Sequence, residues 1–255
     1  MEPKISLAIR RATRYLLKKH KDTLALILIG SVADGTNTKD SDIDIVCVKN
    51  RKLNYDALFK IERELNHEDS HPRIQLVPFT MSKLKWHFDH SSTMAHSIKN
   101  GTMIFKDKDG RVSTVLNKRL SMPTKEWMNY WLRHWLNRYE HGLEFLKMGR
   151  RDHRRFCKKK CECYLPDDLA RVVVNFAILY LELRGFVPVS KFQIRREIIK
   201  HVGKSDMKNI ELALTLAGRD KRMTLEQNLA IMSIAKKLRR RLVESEIMKV
   251  APATL

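Results

Sequence analysis

Apolar positions fall into two regimes along the chain. Up to about residue 120, short apolar runs alternate with amphipathic stretches. Residues 25–29, 43–48, 74–79 and 102–105 read as strands, and residues 4–20, 55–66 and 82–99 as helices. From Met122 onward no convincing strand follows. Pro123-Thr124 opens a helical stretch in which Trp127, Trp131, Trp135, Tyr139 and Leu143 lie near an i, i+4 stripe, the mark of a core-facing side. Pro166-Asp167-Asp168 starts another helix with an apolar body over 172–183, which Gly185 and Pro188 stop. Further helices fit 191–201, 207–216 and 224–246. The expected fold class is α+β: a mixed sheet with helices over 1–120, then an all-α domain over 121–255, with the turn at 107–111 as the border. Gly101 is expected to cap the helix that precedes the last strand. No internal repeat or low-complexity segment interrupts either part.

The first two strands enclose the most informative stretch, LALILIGSVADGTNTKDSDIDIVCV at 24–48. An apolar run ends in Gly30-Ser31, ten polar-rich residues follow, and a second apolar run opens with Asp42-Ile43-Asp44. Side chains alternate along a strand, so Asp42 and Asp44 share one side. Two carboxylates so close repel each other unless a cation lies between them. Hard oxygen donors of this kind suit Mg²⁺, which is often held by one or two carboxylates together with substrate phosphates. The pattern points to metal-dependent chemistry on a nucleotide.

Gly-Ser, ten residues, then Asp-x-Asp, with apolar runs on both sides, resembles the nucleotidyltransferase superfamily that includes DNA polymerase beta. The form is nearest to its minimal and kanamycin-type branch, and the resemblance spans residues 23–105. It implies transfer of a nucleotidyl group from a nucleoside triphosphate, ATP among them, with Mg²⁺ or Mn²⁺. In that reading Asp42 and Asp44 are catalytic and metal-binding, and Gly30, Ser31 and Ser41 bind the nucleotide. Ser41 and Asp40 also read as turn residues that orient the strand start, and Lys39 as a solvated lysine.

One position departs from the family pattern. A third carboxylate usually comes from the next core strand, and Gln75 in RIQLVPF stands where it is expected. Glutamine neither deprotonates an attacking hydroxyl nor brings a full negative charge to a metal. Three readings stand side by side. Another acid substitutes (Glu68, Asp69, Asp89, Glu140 or Glu144), catalysis proceeds with one metal and a weak base, or the chain binds nucleotide without transferring it.

The formal charge of +21 adds a second theme. Basic residues cluster at 150–160, 194–201 and 236–241, and such runs attract polyanions by counterion release. RNA is therefore an expected partner, set against solvated helix faces. The charge also disfavours a cationic aminoglycoside as acceptor. The basic N-terminal stretch reads as an amphipathic helix rather than a signal peptide, and no apolar run suggests a membrane span, so a cytosolic location is expected.

Cys47 reads as a small buried apolar residue. Cys157, Cys161 and Cys163, with His153 upstream, are zinc-ligand types, but their spacing is not that of a standard finger; reduced thiols are the plainer expectation. His87, His90 and His96 read as packing or surface residues. The helical second part is similar to the helical domain of kanamycin-type transferases or to a HEPN domain, whose Arg-x4–6-His spacing Arg196 and His201 satisfy. The expected function is transfer of a nucleoside monophosphate to a hydroxyl on RNA, protein or a small molecule. The alternatives are a nucleotide- or RNA-binding protein with a degenerate site, and a HEPN-like ribonuclease using Arg196 and His201.

Overall fold

The computed structural model describes residues 2–38, 41–50, 55–66, 72–106, 109–156, 166–217 and 225–253. The chain divides into two units, Met1–Met122 and Pro123–Thr254.

In the first unit β1 (Thr23–Ile29), β2 (Ile43–Lys49), β3 (Ile74–Thr80) and β4 (Thr102–Lys106) form one sheet in the order β3-β2-β1-β4. β1 runs antiparallel to β2 and β4, whereas β2 and β3 are parallel and joined through α3 (Tyr55–Leu65). Helices cover both faces, which is why β1 is apolar from Leu24 to Ile29 rather than alternating. On one face α1 (Pro3–Lys19) sets Ile5, Ile9, Ala12 and Leu16, with Ile61 and Leu65 of α3, against Leu26, Leu28, Ile43, Ile45 and Leu76. On the other, Leu84 and Phe88 of α4 (Met81–Asp89), Ile98 of α5 (Thr93–Lys99) and Val112 of α6 (Arg111–Leu116) pack on Ile27, Ile29, Val46 and Phe79. Cys47 is fully buried, and burial pushes its thiol up to about 11.

The outer edge of β3 is closed by side chains of α3 and its end. Asn66 donates to the Ile74 carbonyl and accepts from the Ile74 N–H, both at 2.7 Å, and the Glu62 carboxylate accepts from the Leu76 N–H. Pro78 occupies the next outward position, where a missing N–H costs nothing. Burial raises the Glu62 pKa, with the Leu76 N–H opposing it. A raised carboxylate favours folding below its unfolded pKa and loses that contribution as pH rises through the folded value. Glu62→Gln keeps the acceptor without the charge, so its Tm should exceed that of wild type at pH 7 and converge with it near pH 4. Equal differences at both pH values would contradict this account.

Three expectations change. The helix expected over 82–99 is two: Ser91 takes a left-handed φ of 47° and the Ser92 hydroxyl accepts from the Ala95 N–H at 3.1 Å, which caps α5 separately. Gly101 is not a cap, since Asn100 ends α5. A Cβ at Gly101 would lie 2.5 Å from the Leu28 carbonyl oxygen, so glycine is there to admit the β1 backbone. The turn near 107–111 is not the border between units, because Val112 of α6 belongs to the core of the first.

At the α4–α5 elbow His87 is buried, with Nδ1 2.8 Å from Ser92 Oγ and its ring 5.1 Å from that of Phe79. Burial first, then the positive charges of Lys83 and His90, lowers its pKa to about 3. A depressed histidine contributes stability that is complete above pH 6.5 and lost as pH falls toward the folded value. By linkage the loss at pH 5 reaches at most about 2 kcal/mol. His87→Asn should flatten the change in urea-unfolding free energy between pH 7 and pH 5, whatever its effect on the level; parallel curves would refute it.

The second unit contains α7 (Lys125–Phe156), α8 (Pro166–Glu182), α9 (Lys191–Ile198), α10 (Lys204–Leu216) and α11 (Leu225–Val243), with a 3-10 turn at Glu246–Lys249. The apolar α8 packs against the other four helices, and Val172, Val173, Phe176, Ala177 and Leu179 are buried. Trp127, Trp135 and Tyr139 are core residues as their spacing implies, while the half-buried Trp131 donates to Asn175 Oδ1 at 3.2 Å. The fully buried Asn129 donates to the Val250 carbonyl and ties the C-terminal segment to α7. Cys157, Cys161 and Cys163 lie outside the described residues.

Candidate active site

β1 and β2 bring the two halves of the glycine–aspartate motif together at one end of the sheet. β1 runs directly into α2 (Gly30–Asp34), a single helical turn where the sequence suggested only a turn and polar segment. Gly30 adopts φ +72°, and the antiparallel register sets Ile29 opposite Asp44. The consequence is a close approach: a Cβ at Gly30 would lie 2.6 Å from Asp44 Oδ2. Glycine is needed twice here, for the left-handed torsion and for the space that the carboxylate fills. The sequence showed the need for unusual torsions; the contact with Asp44 arises from strand pairing.

Asp42 immediately precedes β2 and Asp44 is its second residue; both are half-buried. Their side of the sheet is the one covered by α4, α5 and α6, as Val46 and Val48 further along β2 show. Ser41 holds the approach to the strand. Its hydroxyl accepts from the Thr38 N–H at 2.8 Å, and its own N–H donates to the Thr38 carbonyl at 3.0 Å. The Asp34 carboxylate closes the turn after α2 by accepting from the Thr36 N–H at 3.0 Å and hydroxyl at 2.6 Å. Lys39 and Asp40 lie outside the described residues.

Gln75 is the parallel register partner of Asp44 and is exposed. The strand pairing therefore brings the glutamine, not a third acid, beside the aspartates. Among the described residues no group of three His, Cys, Asp or Glu side chains gathers as a metal cluster. Of the acids considered as substitutes, Asp89 is paired with Lys118 at 2.5 Å, and Glu68 and Asp69 lie outside the described residues. Glu140 and Glu144 are exposed on α7 of the second unit, where Glu140 is 3.7 Å from Arg239. In that unit Arg196 on α9 donates to Glu197 at 2.9 Å, and His201, beyond the helix end, meets the Tyr180 ring edge-on at 6.2 Å.

A pair of carboxylates flanked by a glycine-lined notch fits a hard divalent cation that completes its oxygen shell with phosphates. Asp42 and Asp44 are the residues that would hold it.

Residues 13–109 match the family described as Polymerase beta, Nucleotidyltransferase. No curated protein matches the chain. Among solved structures, the spectinomycin adenyltransferase from Enterococcus faecialis, solved with ATP and spectinomycin, has a similar fold. The two are 14% identical with a TM-score of 0.59, over 94% of this chain and 99% of that one. A nucleotidyltransferase-like protein from Exiguobacterium sibiricum is 14% identical with a TM-score of 0.37, over 92% of this chain and 76% of that one. With the mixed sheet and the Gly30–Asp44 motif that they carry, residues 13–109 belong to the polymerase beta nucleotidyltransferase superfamily.

Proposed function

We propose that this nucleotidyltransferase moves a nucleoside monophosphate from a nucleoside triphosphate to a hydroxyl acceptor, with a divalent cation held by Asp42 and Asp44. The observation that carries the reading is the notch in which Gly30 leaves room for the Asp44 carboxylate. A bound cation would supply charge neutralisation at the triphosphate. The chain's own part is positional: β2 holds the two carboxylates on one side, and Gly30 and Ser31 present backbone N–H groups and a hydroxyl at the same end of the sheet. The ATP bound to the spectinomycin adenyltransferase supports ATP as donor. The net charge of +21 supports a polyanionic acceptor over a cationic one.

The test is label transfer from α-labelled and γ-labelled ATP, with Mg²⁺ or Mn²⁺, to RNA, protein and aminoglycosides. Acceptor labelled by the α-label alone, and lost in Asp42→Asn/Asp44→Asn, is the expected result. Labelling by the γ-label would instead mean phosphoryl transfer and sink the reading.

Gln75 beside Asp44 motivates a second reading, a site that binds nucleotide without transferring it. Its signature is nucleotide binding with no label on any acceptor, together with transfer gained in Gln75→Asp.

A further inference from the structure

Two of the basic runs that stand out in the sequence, 194–201 and 236–241, are not the most available cations among the described residues. Most lysines and arginines of these two runs are matched by carboxylates, and the side chains of 150–160 lie outside the described residues. Arg195 lies 2.8 Å from Glu211, Arg196 2.9 Å from Glu197, and Lys200 pairs with the same Glu197. Lys237 lies 2.6 Å from Asp206 and Arg240 3.0 Å from Glu244, and Arg239 reaches Glu140 at 3.7 Å. Arg241 rests over the Tyr180 ring at 5.4 Å, so among the described residues Lys236 is the one cation of the run 236–241 without such a contact. An ion pair already neutralises much of what a phosphate would gain.

Helix α1 is different. No Asp or Glu occurs between Pro3 and Lys19. Ile5, Ile9, Ala12 and Leu16 are buried against the sheet, and helical periodicity sends Lys4, Arg10, Arg14 and Lys18 to the opposite, exposed side. Among the described residues none of these four meets a carboxylate. From Lys4 to Lys18 the stripe runs about 21 Å, enough to follow several successive phosphates.

From this we infer that the exposed side of α1 docks the sugar–phosphate backbone of RNA and so presents RNA as the hydroxyl acceptor. The inference rests on the transfer reading given above. RNA joins the two properties required, repeated negative charge and ribose hydroxyls. An anionic membrane is the poorer occupant, because the apolar side of α1 is consumed in the core and only Leu7, 69% exposed, is an exposed large hydrophobic of the helix. No aromatic residue stands in the stripe, so contact is with backbone and tolerant of sequence.

The test is fluorescence anisotropy of the full chain with a labelled single-stranded RNA of about 20 nucleotides, from about 50 to about 200 mM salt. Three proteins are compared: wild type, Lys4→Gln/Arg10→Gln/Arg14→Gln/Lys18→Gln, and Lys200→Gln/Lys237→Gln/Arg240→Gln/Lys249→Gln. The last loses the same charge from paired positions. The α1 variant should bind at least about tenfold more weakly at low salt, and its salt slope should flatten by about 3, at roughly 0.7 per single-strand phosphate contact. The paired-cation variant should stay within about threefold of wild type. Arg14→Glu, a single exposed change, repeats the test if the quadruple variant does not fold. Equal losses in the two quadruple variants, no RNA binding by wild type, or α1-dependent binding to phosphatidylserine vesicles without RNA binding would overturn the assignment. Asp44→Asn should keep RNA binding and lose transfer. Label on another acceptor but not RNA would overturn the acceptor half. RNA bound through α1 with no label on any acceptor would sink the transfer reading and leave the docking surface standing.

Discussion

Asp44→Asn should lower nucleotidyl transfer by about a hundred- to a thousandfold, the scale seen when one preorganised electrostatic contact to the reacting group is removed. The protein should remain folded. Asp44 is half-buried at the second position of β2, and asparagine has nearly its shape, so the antiparallel pairing of Ile29 with residue 44 survives. A second readout separates metal binding from catalysis. Adding Mn²⁺ should raise the Tm of wild type through binding to the folded state, and the rise should be absent in the variant. Full transfer by Asp44→Asn, or an unchanged Mn²⁺ shift, would remove this carboxylate from the site. Asp42→Asn should behave alike, and the double variant should be little worse than either single one, because the two side chains act as a unit.

Gly30→Ala should be nearly as damaging to activity, by a different route. The alanine Cβ would meet Asp44 Oδ2 at 2.6 Å, so the carboxylate has to move. Misplacement of a positioned group by about 1 Å can cost on the order of a hundredfold in rate. The left-handed φ of +72° adds backbone strain of about 1–2 kcal/mol. The molecule contains its own control. Gly35 ends α2 at φ +74°, but a Cβ there meets nothing within 4 Å. Gly35→Ala should therefore lose comparable stability and keep most of its activity. If the two variants lose activity equally, backbone strain rather than crowding of Asp44 is responsible, and the notch is not part of the site.

Stability and electrostatics elsewhere follow the same logic of local environment. Lys49 is almost buried at the far end of the sheet, where its ammonium lies 3.2 Å from Asp22 and donates to His20 Nδ1 at 3.1 Å. Burial first, and then the Lys49 charge, lowers the His20 pKa and keeps the ring a neutral acceptor near neutral pH. This cluster fastens β1 to β2 at one end of the sheet while the motif occupies the other.

The residues legible from the chain alone are those whose reason is local. The apolar runs of β1 to β4 lie within a residue or two of their expected bounds, and in β1 and β2 two buried faces demand the continuous apolar sequence. Asp42 and Asp44 needed only the period of a strand to be placed on one side. The Trp127–Trp135–Tyr139 stripe needed only the period of a helix. The break between α4 and α5 was written less plainly. His90-Ser91-Ser92 contains no glycine or proline, and serine caps a helix only when a following N–H is placed to use it.

Long-range pairing decided the rest. Gly30 and Asp44 are fourteen positions apart, and only the antiparallel register of β1 with β2 turns a conformational preference into a steric requirement. Gln75 comes beside Asp44 because β3 returns parallel to β2 through α3. The charge pattern shows the limit most clearly. Sequence gives the number and order of cations, and by that measure the run at 150–160 is richest, with those at 194–201 and 236–241 also prominent. Folding sets carboxylates, some from neighbouring positions and some from other helices, against most cations of 194–201 and 236–241 and leaves α1, which has no acid of its own, with its cations exposed. Periodicity and local motif are properties of neighbours in the chain, so the sequence alone determines them. Which carboxylate meets which cation, and which side chain lies across from an aspartate, are properties of neighbours in space, and only the tertiary structure decides them.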